Sequence, residues 1–150
     1  MSRMTSLAAA TAFLAAPMAC ADMATPTGDA AAGEAAFRQC IACHVVVNDA
    51  GETLAGRNAR TGPNLFGIAG RTAGTYEEFR YSASMTAAGE AGLVWDEEGF
   101  VTYVQDPTGF LREYLDDSGA RGSMSFRVRS PEDAANLYAY IMSLGPEAAE

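Results

Sequence analysis

Apolar residues recur at intervals of three and four positions in several segments of the chain, and no segment alternates long enough to predict a strand. The clearest segment follows Ser130, which can cap a helix, and Pro131, which suits a first helical position. Its apolar stripe comprises Ala134, Leu137, Tyr138, Ile141 and Leu144. The stripe stops at Gly145 and Pro146, so the pattern predicts a helix that ends there.

Three earlier segments show the same period. The first runs from about Asp29 to Ile41, the second begins at Asp96 and is stopped by Pro107, and a short third covers 110–115. The connections over 45–60 and 116–123 are long and polar. A chain of this size accommodates them if a large apolar ligand supplies part of its core. The predicted fold class is therefore all-α, with helices packed around such a ligand.

At the N-terminus Arg3 is followed by an apolar run from Leu7 to Ala19, which is the pattern of a secretory signal peptide. Small residues at the positions that a signal peptidase recognises predict cleavage near Ala21, and hence a periplasmic protein. Lipidation of Cys20 is the alternative, although the residues before it form a poor lipoprotein signal. The expected organisation is a signal peptide over 1–21, a flexible mature N-terminus over 22–28, one domain over 29–145 and a C-terminal tail over 146–150.

The formal net charge is −9, and all ten basic residues are arginine. No basic cluster is rich enough for nucleic acid or an anionic lipid surface. Beyond the leader, no segment is long and apolar enough to span a bilayer. We therefore expect neither a nucleic-acid partner nor an integral membrane protein.

The strongest chemical motif is CIACH over residues 40–44, in which two thiols three positions apart are followed directly by the chain's only histidine. This is the attachment spacing of haem c: Cys40 and Cys43 would each add across a vinyl group, and His44 would bind the iron. A structural zinc site would need four ligands. A thioredoxin-like pair would follow a strand, and a plain disulfide would leave His44 unexplained. We expect one covalently attached haem c.

A second axial ligand is needed unless the iron is to bind small molecules, and methionine is the natural candidate once His44 is used. Of the seven methionines, four lie in the leader or the loose N-terminus and one in the last predicted helix. Met124, in an irregular segment beside Phe126, is the favoured ligand. Met85, at the start of a short helical segment, is the alternative.

The order of these and other residues resembles the class I soluble c-type cytochromes, the group that includes mitochondrial cytochrome c and its bacterial relatives. The match spans most of the mature chain. It comprises Gly33, Phe37, residues 40–44, the TGPNL run over 61–65, Gly67, Gly70, Arg71, Tyr81, Ser82, Trp95, Tyr103, Pro107, residues 124–126, Leu137 and Tyr140. The resemblance implies a small cytochrome c fold around one haem, with long loops and with the first and last helices crossing at Gly33.

The resemblance also implies roles for individual residues. The carbonyl of Pro63 would accept a hydrogen bond from His44, which makes the imidazole a better donor to iron. The hydroxyl of Tyr103 would reach toward the sulfur of Met124. Three side chains would serve the haem propionates: Arg71, Tyr81 and Trp95.

Two departures from the family bear on its partners. Mitochondrial relatives dock through lysines around the haem edge, and this chain has no lysine. The segment over 112–122 is also longer, and it carries acidic residues. We expect so acidic a carrier to prefer a basic or largely apolar docking face.

With both axial positions filled, the iron could only exchange an electron. This predicts a monomeric one-electron carrier, not an enzyme, with membrane or soluble oxidoreductases as donor and acceptor. One alternative is a haem-based sensor or peroxidase-like enzyme with an open or labile sixth site, which the glycine-containing loop before Met124 keeps open. The other is a subunit that feeds electrons within one fixed complex.

Overall fold

The structure, a computed structural model, describes residues 25–146. The predicted signal peptide with its cleavage site near Ala21, Cys20, and tail residues 147–150 lie outside the described residues. No helix within 25–146 is long and apolar enough to cross a membrane. The elements are α1 (Ala30–Phe37), β1 (Val46–Val47), β2 (Thr53–Ala55), α2 (Ala83–Glu90), α3 (Glu97–Gln105), α4 (Pro107–Tyr114) and α5 (Pro131–Ser143).

Each of these helices begins after a side chain that caps it. Asp29, Ser82, Asp96, Asp106 and Ser130 accept hydrogen bonds from backbone N–H groups in the first turns of α1 to α5, respectively. These bonds satisfy amide donors that have no partner within the helix. The predicted helix starts after Asp96 and Ser130 are confirmed.

The terminal helices α1 and α5 cross at Gly33. A Cβ at this position would lie 2.6 Å from the carbonyl carbon of Asn136 and 2.7 Å from Cβ of Tyr140. The buried side chain of Asn136 also accepts a hydrogen bond from the backbone N–H of Asp29 at 2.7 Å. Close packing and a partly buried hydrogen bond therefore join the two ends of the domain.

The polar connection after His44 contains a short hairpin that the sequence pattern did not predict. β1 and β2 pair antiparallel, with Val46 opposite Ala55 and an irregularity at the next pair. Oδ1 of Asn48 closes the turn by accepting from the N–H groups of Ala50 at 3.1 Å and Glu52 at 2.9 Å. Strands this short show no measurable alternation, and the predicted all-α class still holds for the fold as a whole.

Buried apolar residues on α3 and α5 face an internal space. Phe100 and Val104 of α3, with Leu137 and Ile141 of α5, are at most 6% exposed and line one cavity. Leu111 of α4 is fully buried behind them. The helices thus form a shell around the space predicted to hold a ligand.

Candidate functional site

A cavity of about 310 Å³ lies inside this shell. Its wall is mainly apolar and includes the turn over 39–44, the loop over 61–65, the inner faces of α3 and α5, and the segment over 123–126. All nine residues predicted to hold or contact haem line it: Cys40, Cys43, His44, Pro63, Arg71, Tyr81, Trp95, Tyr103 and Met124.

The CIACH motif forms the turn that follows α1. The N–H of Cys40 donates to the carbonyl of Phe37 at 2.8 Å, and the N–H groups of Cys43 and His44 donate to the carbonyl of Cys40 at 3.0 and 2.9 Å. This winding brings both thiols and the imidazole to one cavity wall. Both cysteines are free, and burial, with a smaller effect of Cys43, raises the pKa of Cys40 to about 11.

The imidazole of His44 is oriented by the backbone opposite it. Nδ1 lies 2.9 Å from the carbonyl oxygen of Pro63. Because a carbonyl can only accept, this contact assigns the proton to Nδ1 and leaves the lone pair of Nε2 for a metal. Burial lowers the pKa of His44, and the bond to Pro63 opposes that shift. A buried, neutral and fixed imidazole is the form that ligates iron.

Gly62 supports this arrangement, although no separate role was predicted for it. A Cβ on Gly62 would lie 2.6 Å from Nδ1 and 2.7 Å from Nε2 of His44. Its N–H donates to the carbonyl of Cys43 at 2.8 Å, so the 61–65 loop is tied directly to the motif. The glycine in the TGPNL run was the available signal, but its close contact with the imidazole is a long-range relationship.

Asn64 holds the same loop to β1. Oδ1 accepts from the N–H groups of Val47 at 2.9 Å and Phe66 at 3.1 Å, while Nδ2 donates to the carbonyl of Val47 at 2.7 Å. The amide therefore uses both its acceptor and its donor on backbone groups. The missed hairpin thus helps to position the loop that carries Pro63.

The guanidinium of Arg71 is directed at the backbone of the same loop. It donates to three carbonyls: Asn64 at 3.4 Å, Gly67 at 3.2 Å and Phe66. These bonds use three of its five N–H groups, so two remain for an acceptor in the cavity. The structure thereby gives Arg71 a loop-binding contact in addition to the propionate role that the resemblance implied.

Trp95 and Tyr103 present polar atoms to the cavity. Their rings meet edge to face with centroids 5.0 Å apart. Within residues 25–146, neither the indole N–H nor the Tyr103 hydroxyl hydrogen-bonds to another protein group. Burial raises the pKa of Tyr103 to about 12, so this phenol stays protonated at neutral pH. Both groups can donate to acceptors inside the cavity.

Both candidate methionines line the cavity, but they belong to different kinds of structure. Met85 is 6% exposed and lies in the first turn of α2. Met124 lies in an irregular segment. Two bonds set the path of the chain just before it: Arg121 N–H to Ser84 Oγ at 3.0 Å and Gly122 N–H to Thr108 Oγ1 at 3.3 Å. Lining the cavity does not by itself separate the two methionines.

The charged residues next to the cavity lining in sequence differ in sign from the chain as a whole. Seven charged residues are immediate sequence neighbours of a cavity-lining residue but do not line the cavity themselves. Five of the seven are exposed arginines. These residues are Arg38, Arg60, Arg80, Arg127 and Arg129, with the acids Glu78 and Asp96. Only one of the five, Arg127, forms an ion pair within the described residues, with Asp106 at 2.8 Å.

The residues at this site suit a covalently attached haem. Two thiols stand beside a fixed imidazole, a thioether lines the same space, and the wall is apolar as a porphyrin requires. Arg71, Tyr81 and Trp95 supply polar groups for carboxylates.

No family model matches the chain. Cytochrome c2 of Rhodovulum adriaticum is 67% identical over 119 residues, which cover 79% of this chain and 94% of that protein. Cytochrome c2 of Cereibacter sphaeroides is 55% identical over 118 residues, or 78% and 95% of the two chains. The solved structure of cytochrome c2 from Rhodobacter sphaeroides is 56% identical and superposes with a TM-score of 0.76 over 77% of this chain and 95% of that one.

Proposed function

The chain belongs to the cytochrome c2 family of class I bacterial monohaem c-type cytochromes, and we propose that it is an exported one-electron carrier with His44 and Met124 as axial ligands. Proteins of this family bind one covalently attached haem c, which supplies the redox couple. The observation that carries the proposal is the convergence of the nine site residues on one apolar cavity, with His44 already oriented by Pro63.

The protein holds its ligands so that little needs to move when an electron is gained or lost. Pro63 and Gly62 contact the imidazole from one side, and Asn64 anchors the loop that carries them. On the other side, bonds to α2 and α4 set the path of the chain toward Met124. A preorganised pocket of low polarity disfavours the additional positive charge of the oxidised state, and thioether ligation acts in the same direction. The expected carrier therefore has a raised reduction potential.

Met124 is the better choice of second ligand because of the local backbone. Met85 is held on the buried face of a helix whose turn packs on Gly74, where a Cβ would lie 3.0 Å from the Met85 carbonyl oxygen. Met124 lies outside any helix, partly exposed, so its side chain can take the orientation that coordination demands. The thioether of Met85 then serves as ordinary apolar packing.

A site with two protein ligands favours electron transfer over catalysis. Substrates such as oxygen or peroxide would have to displace a ligand before they could react. We propose a monomer that exchanges electrons with membrane or soluble oxidoreductases in the periplasm, through short-lived contacts at the cavity mouth.

The distribution of arginines sharpens the docking proposal. Net charge alone predicted a basic or apolar partner. Five arginines are sequence neighbours of cavity-lining residues, and four of them form no ion pair within the described residues; they instead favour an acidic partner face, since charge steering depends on the local potential. Arginine thereby takes the place that lysine holds in mitochondrial relatives.

The absorption spectrum of the matured, reduced protein, recorded before and after addition of carbon monoxide, tests the proposal. A carrier with both axial positions filled gives an unchanged spectrum. A prompt shift of the Soret band would mean an open or labile sixth position, and the sensor or peroxidase-like function would replace the carrier.

A further inference from the structure

A row of four aromatic rings connects the cavity with the outer surface of α4. Trp95 and Tyr103 line the cavity, Phe110 lies behind them, and Tyr114 is 40% exposed. Ring centroids are 5.8 Å apart for Tyr103 and Phe110 and 5.9 Å apart for Phe110 and Tyr114. Phe110 also stacks on Trp95 at 6.4 Å. Every step is within the range of direct aromatic contact.

Tyr114 differs from the other tyrosines. All six lie within residues 25–146, and Tyr114 alone falls in the exposed class. For comparison, the only aromatic ring that Tyr140 contacts within residues 25–146 is that of Phe37, which does not line the cavity. Tyr114 is therefore the phenol that combines wide exposure to solvent with a ring-to-ring connection to the cavity.

The chemistry of the four rings assigns them different tasks. One-electron oxidation of a phenol releases a proton, and Tyr114 can pass that proton to water because it is exposed. Tyr103 is partly buried, burial raises its pKa to about 12, and no protein acceptor within residues 25–146 bonds to its hydroxyl. Phe110 has no ionisable group. The inner rings are thus suited to electronic coupling, and Tyr114 to forming the radical.

We propose that this row is a redox relay that makes Tyr114 a second electron port, outside the cavity lining. The inference rests on the proposed carrier function, which supplies the electron. A soluble one-electron oxidant strong enough to oxidise phenol takes one electron from Tyr114, which becomes a neutral phenoxyl radical and releases its proton to water. One electron stored by the reduced carrier then returns through Tyr103 and Phe110, and a proton from water restores Tyr114. In net terms one electron passes from the carrier to the oxidant.

Surface charge indicates which oxidants this port would accept. Within three residues of Tyr114 the chain carries three exposed acids, Glu113, Asp116 and Asp117, against one exposed base, Arg112. The three acids repel anions and attract cationic or neutral oxidants. The residues near Tyr114 in sequence therefore differ in net charge from those next to the cavity lining, and the two sites serve different reactants.

The test uses the haem-loaded protein and photogenerated tris(bipyridine)ruthenium(III) as the cationic oxidant. Tyrosyl radicals are captured with a nitroso spin trap and assigned to residues by peptide mass spectrometry, once for the oxidised and once for the reduced protein. In the oxidised protein we expect adducts at Tyr114. In the reduced protein we expect the Tyr114 adduct to fall several-fold relative to the Tyr140 adduct, which corrects for oxidant consumed directly at the haem.

Phe110→Leu removes the central ring and should abolish that selective protection of Tyr114. Phe66→Leu is the matched control, since Phe66 is half-buried and lies outside the cavity lining and the aromatic row. Because Phe110→Leu could disturb folding, Tyr114→Phe provides a second measurement at an exposed position. It should slow oxidation of the reduced carrier by the ruthenium reagent while leaving the visible spectrum unchanged.

Selective protection of Tyr114 that persists in correctly folded Phe110→Leu would overturn the relay, as would an oxidised protein without an adduct at Tyr114. Failure of the carrier proposal is recognised separately by carbon monoxide binding to the wild-type protein.

Discussion

Gly62 packs directly against the imidazole of His44, so closely that a Cβ at position 62 would lie 2.6 Å from Nδ1. Such a distance is shorter than van der Waals contact, and the neighbouring Pro63 bond leaves the ring little freedom to retreat. The absence of a side chain at this position is therefore part of what fixes the axial ligand.

We expect Gly62→Ala to displace the imidazole and to lower the free energy of unfolding of the holoprotein by about 1–3 kcal/mol, as overpacking does. The reduction potential should change as well, because His44 loses its orientation. Gly51→Ala is the control: φ at Gly51 is +81°, but a Cβ there meets no atom within 4 Å. Gly51→Ala should lose stability but keep the wild-type reduction potential. An unchanged reduction potential in Gly62→Ala would mean that Gly62 does not orient His44.

Two methionine variants separate the possible second ligands. Met124→Leu should open the sixth coordination position, so that the reduced protein binds carbon monoxide promptly and its reduction potential falls. Met85→Leu should bind no carbon monoxide and should keep the wild-type reduction potential. It should cost about 1 kcal/mol of stability, since leucine and methionine have similar volumes. Carbon monoxide binding to Met85→Leu but not to Met124→Leu would reverse the assignment.

Local sequence signals predicted much of this fold. Asp96 and Ser130 marked helix starts because a short polar side chain caps the amides that follow it, within a few residues along the chain. The CIACH motif was equally local. The contact between Gly62 and His44 and the bond from Asp29 to Asn136 join distant residues, and no local pattern encodes them. Their geometry depends on the assembled structure.

Variants of Arg71 can separate its hydrogen bonds to the loop from the effect of its positive charge. Its guanidinium donates to the carbonyls of Asn64, Phe66 and Gly67, and a lysine could not reproduce that fork. We expect Arg71→Lys and Arg71→Gln to lose similar stability, on the order of 1.5–3 kcal/mol for hydrogen bonds to a charged group. If Arg71 also serves the propionates, the reduction potential should change more in Arg71→Gln, which loses the positive charge. Full stability of Arg71→Lys would show that the loop contacts contribute little.

Tyr103 makes stability depend on pH in the alkaline range. Burial raises its pKa from 10.0 to about 12, so the unfolded chain releases the proton at lower pH than the folded protein does. The stability that neutral Tyr103 contributes is complete below pH 10 and is lost as pH rises toward 12. Denaturant titrations of the holoprotein over this range should show a steeper loss for the wild type than for Tyr103→Phe. Parallel losses would mean that Tyr103 does not cause the dependence.

Small redox reagents of opposite charge can report the potential at the cavity mouth without a protein partner. Exposed charges are screened beyond about 8 Å at physiological ionic strength, so a reagent that approaches the haem edge responds mainly to nearby groups. Five exposed arginines adjoin the cavity lining, whereas the whole chain carries −9. We therefore expect oxidation of the reduced protein by ferricyanide, an anion, to slow as salt is added, which is the response of unlike charges.

The triple variant Arg38→Gln, Arg60→Gln and Arg80→Gln should weaken or invert that salt dependence. Arg57→Gln is the matched control, because Arg57 is exposed but adjoins no residue of the cavity lining. If ferricyanide instead reacts faster with the wild type as salt rises, the net negative charge dominates at the mouth. The carrier would then be suited to a basic partner, as its composition alone predicts, and the arginines would have no steering role.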